Sequence, residues 1–368
     1  MSSSIVIKIL KLVLLIGGLC AMTCTAPESP LRIVKLSGTP YERGLTHGRV
    51  LQHEIHQVIQ NWQHAVELMQ NEPFDSLKQR FLTKSLYQPA IQTWTPGLLE
   101  EVRGLADGAG IEFNTMYLFQ ISEEFENYIG FTRHQCTALG VHQTEIQPTL
   151  LAQNMDPPNF LHGFPTILHI TDSTGLQAFV FTAPGLLGLD GMNSKALGIT
   201  CNSLAPHSIK WTGLPVPFVV RGVLQQRSYK NAVDFLHNIE HANGQNYIIG
   251  GPERARCFEC STLEVNEFVP QETQALTYHT NHYLLNAPEH YCSRLRSLQA
   301  ELKKRQYEIT VKDIQAILSL NKWEGGRPIC NPFTYGSVIM ILSEAPELLI
   351  APGQPDRIPY QRLIFDSF

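Results

Sequence analysis

The apolar residues of this chain change their spacing near residue 136, and that switch bounds the folds open to it. Before the switch, Val50, Ile55, Val58, Ile59, Trp62, Ala65 and Leu68 recur at helical intervals across residues 46–69, and residues 96–109 repeat the pattern behind Pro96. The first third therefore reads as largely helical. After it, short runs of β character take over at 136–141, 149–153, 166–171 and 177–182. Helical spacing returns over 218–227 and 231–242, followed by strand-like runs at 246–250, 256–261, 263–269 and 276–280. Helices over 292–304 and 311–320 precede a final strand at 337–342. Blocks of strands alternating with pairs of helices predict stacked sheets covered by helices on both outer faces. No internal repeat and no Gly/Ser linker interrupts the 368 residues, and the stretch around residue 135 lacks the Pro/Gly/Ser bias of a domain boundary.

The first thirty residues stand apart. Lys8 and Lys11 precede an uncharged apolar run, residues 12–22, and then the small-residue stretch Thr23, Cys24, Thr25, Ala26. This is the pattern of a secretory signal peptide cleaved near Ala26. Its 11 uncharged apolar residues fall well short of the ~20 that a helix needs to cross a bilayer, and no later segment is apolar and long enough to do so. A lipid-anchored export signal at Cys20 or Cys24 would want a small residue before the cysteine, where Leu19 and Thr23 stand. The expected location is thus an exported one: secreted, periplasmic or an organelle lumen.

Of eight cysteines, two lie in this leader, and the remaining six, Cys136, Cys201, Cys257, Cys260, Cys292 and Cys330, are too sparse to staple a fold of this size. One pair could form in an oxidising compartment, with at least one thiol left free. A net charge of -5 with scattered Lys and Arg provides no footprint for a polyphosphate backbone, so nucleic acid is not an expected partner.

Several motifs can be set aside. His53-Glu54-Ile55-His56 lacks the histidine at position 57 that would place two ligands four apart on one helix face. No nucleophile elbow, phosphate-binding loop or dinucleotide fingerprint occurs. Cys257 and Cys260, followed by His279 and His282, have the wrong spacing for a zinc finger, and on a strand the two cysteines point to opposite faces.

What remains is a thiol with company. Cys136 opens a strand-like run; alternation puts Asn154 and Asp156 on one face before Pro157-Pro158; Asn281 and His282 follow another strand. Taken singly, each is as well explained by a buried thiol or a polar strand end. Their order is more telling. Gly38-Thr-Pro-Tyr-Glu-Arg-Gly44 with His47-Gly48, Leu99-Glu-Glu-Val-Arg-Gly-Leu-Ala-Asp-Gly108, Cys136-Thr-Ala, Gln153-Asn-Met-Asp156, Gly191-Met-Asn-Ser-Lys-Ala-Leu-Gly-Ile-Thr-Cys-Asn-Ser-Leu204 and Thr280-Asn-His282 follow one another over residues 31–350. In this series the chain resembles the penicillin acyltransferase family of N-terminal-nucleophile cysteine hydrolases.

That resemblance implies an α+β fold, a four-layer αββα sandwich, made as a precursor that cuts itself between Gln135 and Cys136. Residues 1–26 would be the leader, 27–135 a helical α-fragment, and 136–368 the catalytic β-fragment. Cys136 would supply both the thiol nucleophile and, once its α-amine is freed, the base. Reference pKa values of about 8.5 and about 8 make proton transfer between the two nearly balanced. Asn281 would donate to the tetrahedral oxyanion, and Asp156 would orient the amine and assist maturation. The implied partners are a small-molecule linear amide and the two fragments themselves, with no metal or organic cofactor. Outside the cell an acyl-CoA donor is scarce, which favours hydrolysis over acyl transfer.

Two residues depart from the family pattern. The position before the nucleophile, usually Gly, is Gln135, so self-cleavage is expected to be slow or absent; an arginine of the relatives falls on Thr334. His134 and His142 flank the thiol in sequence without an assigned role. The rival expectation is an exported binding or scaffold protein of the same fold, its thiol buried and uncut.

Overall fold

The computed structural model describes residues 31–130, 135–204, 208–285, 292–322 and 327–367; the leader and His134 lie outside them. Seven helices fill most of the first third: α1 (Pro40–Val50), α2 (Gln52–Gln70), α3 (Phe74–Lys84), α4 (Tyr87–Trp94), α5 (Pro96–Ala109), α6 (Phe113–Gln120) and α7 (Ser122–Tyr128). The long helix read over 46–69 is in fact the end of α1 and most of α2, broken at Leu51, whose backbone at φ -112° and ψ 23° leaves the helical region although the apolar stripe continues across it. α5 has the expected bounds: Pro96 starts it, and Gly110, at φ 68°, takes the left-handed C-cap that glycine adopts at least cost.

Ahead of these helices lies a strand the sequence reading did not anticipate, β1 (Arg32–Leu36), which pairs in parallel with β4 (Thr166–Thr171). It forms one edge of an eight-stranded sheet. The order continues through β5 (Gln177–Thr182), β6 (Asp190–Asn193), β7 (Leu197–Ser203), β8 (Gln245–Gly250), β9 (Ala255–Cys260) and β10 (Val265–Phe268). The second sheet has six strands, ordered β11 (Leu276–His279), β2 (Gln135–Val141), β3 (Thr149–Asp156), β12 (Gly336–Leu342), β13 (Glu347–Ala351) and β14 (Gln361–Ile364). The expected final strand is therefore followed by two more antiparallel ones.

The two sheets pack face to face. A Cβ at Gly198 or Gly250 of the first sheet would strike Met340, Leu342 or Leu151 of the second. On the far side of the second sheet, Leu139, Val141, Leu150, Ala152 and Ile339 meet Leu295, Leu298 and Leu302 of α10 (Ser293–Lys304) and Ile314, Ile317 and Leu318 of α11 (Val311–Leu318). Outside the first sheet lie α8 (Val216–Leu224) and α9 (Tyr229–Asn238), with Asn193 of β6 donating to the Leu224 carbonyl. Helix, sheet, sheet, helix is the expected four-layer αββα arrangement. Among the described residues no helix is long and apolar enough to cross a membrane.

The helical third joins this sandwich through β1 in the first sheet and through contacts made beside a close crossing of two of its own helices. α1 and α5 approach so closely at Gly44, Gly48, Gly104 and Gly108 that a Cβ on Gly44 would lie 1.8 Å from the Glu101 carbonyl oxygen, and one on Gly104 would lie 2.0 Å from that of Tyr41. Only glycine fits there. Beside the crossing, the buried Glu101 carboxylate accepts from Arg43 of α1 (Nε 3.1 Å, Nη2 3.0 Å) and Arg221 of α8 (Nη1 2.7 Å, Nη2 3.1 Å). His47 accepts the Gly185 N–H at 3.1 Å. The motif residues of the first third thus form one joint, beside the β1 pairing, that fastens it to the later chain.

Candidate active site

Antiparallel pairing of β2 with β3 sets Cys136 opposite Met155 and Gln135 opposite Asp156. Side chains alternate along β2, so Cys136 and Ala138 point between the sheets while Thr137 and Leu139 face α10. β11 pairs with β2 through His279 and Ala138, which carries the turn after it to the level of Cys136. There the Cys136 N–H donates to Asn281 Oδ1 at 2.8 Å. Arg294, in the first turn of α10 and 4% exposed, closes the cluster. Its Nη1 donates to the Cys136 carbonyl at 2.6 Å and to Thr137 Oγ1 at 2.8 Å, and its Nη2 donates to Asn281 Oδ1 at 2.8 Å.

These contacts settle which way the Asn281 amide faces. Two donors converge on one atom, which must be the oxygen, and Nδ2 donates instead to the Ser203 carbonyl at the end of β7, at 3.0 Å. Asn281 is therefore an acceptor toward the Cys136 nitrogen. Nδ2 carries a second N–H, which is the one that could donate to an oxyanion as the sequence reading expects.

Asp156 ends β3 on the opposite face from the thiol. Its Oδ1 accepts from Thr334 Oγ1 and its Oδ2 from Asn331 Nδ2, both at 2.7 Å. Asn154, on the same face, donates to the carbonyls of Leu318 and Ile329. Burial raises the Asp156 carboxyl above its ordinary pKa, against the opposing pull of Arg294 and the two hydrogen bonds. Burial first and the Asp156 charge second push the Cys136 thiol up to about 12, although a backbone hydrogen bond from Asp156 and the Arg294 charge act the other way. A thiol held so firmly protonated is a poor nucleophile.

Next to this cluster opens a cavity of about 720 Å³. Ala65, Leu68 and Met69 of α2 form one wall, Phe160 and Phe333 another, and Gln135, Asp156, Arg294, Arg327 and Asn331 its polar part. The structure thus brings Gln135, Cys136, Asp156 and Asn281 together. Sequence reasoning missed Arg294, Asn331 and the contribution of α2. A signal for Arg294 existed: it lies four residues before Leu298 and eight before Leu302, a charge in line with a buried leucine stripe. Thr334 fills the place matched to an arginine by holding Asp156, and the arginine that reaches the site comes from α10.

The motifs set aside have structural contacts. His56 hydrogen-bonds the Ala109 carbonyl at the end of α5, and His142 that of Ala255. Cys257 donates to Asn246 and Cys260 to the Phe258 carbonyl. All six cysteines after the leader are free thiols.

Two facing sheets between helical layers, together with the matches that follow, support an acyltransferase or amide hydrolase of the N-terminal-nucleophile fold. The family model described as acyl-coenzyme A:6-aminopenicillanic acid acyl-transferase matches residues 145–322. The 40 kDa form of acyl-coenzyme A:6-aminopenicillanic-acid-acyltransferase of Emericella nidulans is 28% identical over 265 residues, covering 69% of this chain and 70% of the relative. Similar solved structures include a mutant of conjugated bile acid hydrolase from Clostridium perfringens, with TM-score 0.37, 12% identity, and coverage of 62% of this chain and 97% of that one. Penicillin V acylase from Agrobacterium tumefaciens has TM-score 0.35 and 10% identity, over 62% of this chain and 86% of that one. The chain is similar to the penicillin acyltransferases over these residues.

Proposed function

We propose that this chain is an exported cysteine amidohydrolase that cuts itself between Gln135 and Cys136 and then hydrolyses a linear amide, or passes its acyl group to another amine. The observation that carries the reading is the convergence of Asn281 and Arg294 on the backbone of Cys136, beside a cavity that Gln135 lines. In maturation, Cys136 Sγ adds to the Gln135 carbonyl carbon and the peptide C–N bond breaks. The thiol proton passes to the departing nitrogen, and a thioester joins the Gln135 acyl group to sulfur. Water then releases a Gln135 carboxylate, a free thiol and an α-amine.

That amine changes the chemistry. An amide nitrogen cannot take the thiol proton, whereas an amine with a pKa of about 8 can, and Asn281 Oδ1 already accepts a hydrogen bond from that nitrogen. The thiolate attacks a substrate carbonyl, the leaving amine departs with the proton, and the acyl-enzyme is hydrolysed. Asp156, held by Asn331 and Thr334, supports this end of the strand pair and biases the local charge.

Self-cleavage and turnover acylate the same sulfur. The substrate's acyl group therefore takes the place of Gln135, against Leu68, Met69, Phe160 and Phe333, which suits an apolar acyl chain. The leader supports export.

Intact-mass measurement and amino-terminal sequencing of purified protein test the reading. Fragments beginning near Pro27 and at Cys136, replaced by one chain in Cys136→Ala, are the expected result. An uncut chain with an unreactive thiol overturns it in favour of a scaffold protein, the reading that Gln135 in place of glycine favours.

A further inference from the structure

Glu259 is a carboxylate only 3% exposed, on the face of β9 turned toward the second sheet. Burying it is costly, and an apolar residue of similar volume would serve stability as well or better. What it does provide is geometry. Its Oε1 accepts from His279 Nε2 at 2.9 Å and from the Leu284 N–H, and its Oε2 accepts from the Leu285 N–H at 3.3 Å. His279 Nδ1 lies 2.9 Å from the Thr280 carbonyl, so both ring nitrogens face oxygen atoms. Thr280 Oγ1 in turn accepts from Cys292 Sγ at the N-cap of α10, the helix that carries Arg294. The bonds to Glu259 tie His279 to Leu284 and Leu285, the two ends of a single turn, and Asn281 sits inside it.

We infer that Glu259 is a positioning residue: acting through His279 and the amides of Leu284 and Leu285, it holds Asn281 Oδ1 against the Cys136 nitrogen. This rests on the reading of Cys136 and Asn281 as the reaction centre. Glu259 touches no reacting atom; it sets where one of them lies. Displacements on the order of 1 Å at such a contact cost about 100-fold in rate.

A double-mutant cycle tests it. Self-cleavage is followed on denaturing gels for the wild type, Glu259→Gln, Asn281→Ala and the double variant. The mature forms are assayed with N-octanoyl-p-nitroanilide. Glu259→Gln is expected to slow self-cleavage about 10- to 100-fold and to lower kcat by a similar factor with KM within about twofold. In the Asn281→Ala background it should add nothing further. Multiplying effects in the double variant, or a folded Glu259→Gln protein at the wild-type rate, overturns the proposal alone. If Glu259→Gln does not fold, His279→Gln enters the same cycle with the same expectations. A wild type that stays uncut, or an Asn281→Ala variant as fast as the wild type, overturns the reading of the site itself.

Discussion

Replacing Glu101 by Gln tests whether the buried ion triad fastens the helical third to the sandwich. The carboxylate is 2% exposed and receives four N–H donors at 2.7–3.1 Å, two from Arg43 and two from Arg221. The amide keeps the shape but leaves two buried guanidinium groups facing each other with no counter-charge, and its NH₂ points at one of them. Removing one partner of a buried ion pair costs about 3–5 kcal/mol, and here both arginines lose their partner, so the upper part of that range is expected. Urea unfolding in a Cys136→Ala background keeps each protein a single polypeptide, so the shift in midpoint at unchanged slope gives the difference directly. A loss below about 1 kcal/mol would show that the arginines are satisfied elsewhere and that the triad is not the joint.

Other consequences are as definite. Gly44→Ala, whose Cβ would sit 1.8 Å from a backbone oxygen, must force α1 and α5 apart; a loss of about 3 kcal/mol or more in the same unfolding assay is expected. Burial, partly offset by Glu101, lowers the His47 pKa from 6.5 to about 4. Between pH 4 and 6.5 the unfolded chain therefore binds a proton that the folded one does not, so stability should fall by roughly 3 kcal/mol as pH drops through that window. His47→Gln, which keeps an acceptor for Gly185, should flatten this dependence in urea titrations at several pH values. Leu68→Asp should raise KM for N-octanoyl-p-nitroanilide tenfold or more while leaving the N-acetyl anilide within about twofold.

Legibility in the sequence followed the range of the interactions concerned. α5 was readable to the residue because Pro96, Gly110 and the apolar stripe between them are local signals. β3 runs to Asp156, where Pro157-Pro158 ends the ladder, so the shared face of Asn154 and Asp156 was also legible. β1 was not: its five residues carry little pattern, and its partner strand begins at Thr166, more than a hundred residues away. β6 is only four residues long and includes Gly191. The orientation of Asn281 was beyond reach for a similar reason, since it depends on Arg294 arriving from another helix and on Ser203 from the other sheet. Order along the chain singled out Cys136 and Asn281 for attention; only their convergence shows which end of the amide meets the nitrogen.

The motifs farthest from Cys136 also gain a physical reason. Gly44, His47 and Gly48 on α1, with Glu101, Gly104 and Gly108 on α5, make a glycine crossing locked to Arg221 and Gly185 of the later chain. None touches the thiol. Yet α2, which follows α1 directly, brings Ala65, Leu68 and Met69 to the cavity beside Gln135. If the chain is cut before Cys136, no covalent bond holds that wall in place, and β1 in the first sheet and this joint must. The pocket for the acyl group then depends on an ion triad and four glycines remote from the chemistry, so weakening the joint should first loosen acyl-chain binding and leave the acylation of Cys136 by small amides largely intact.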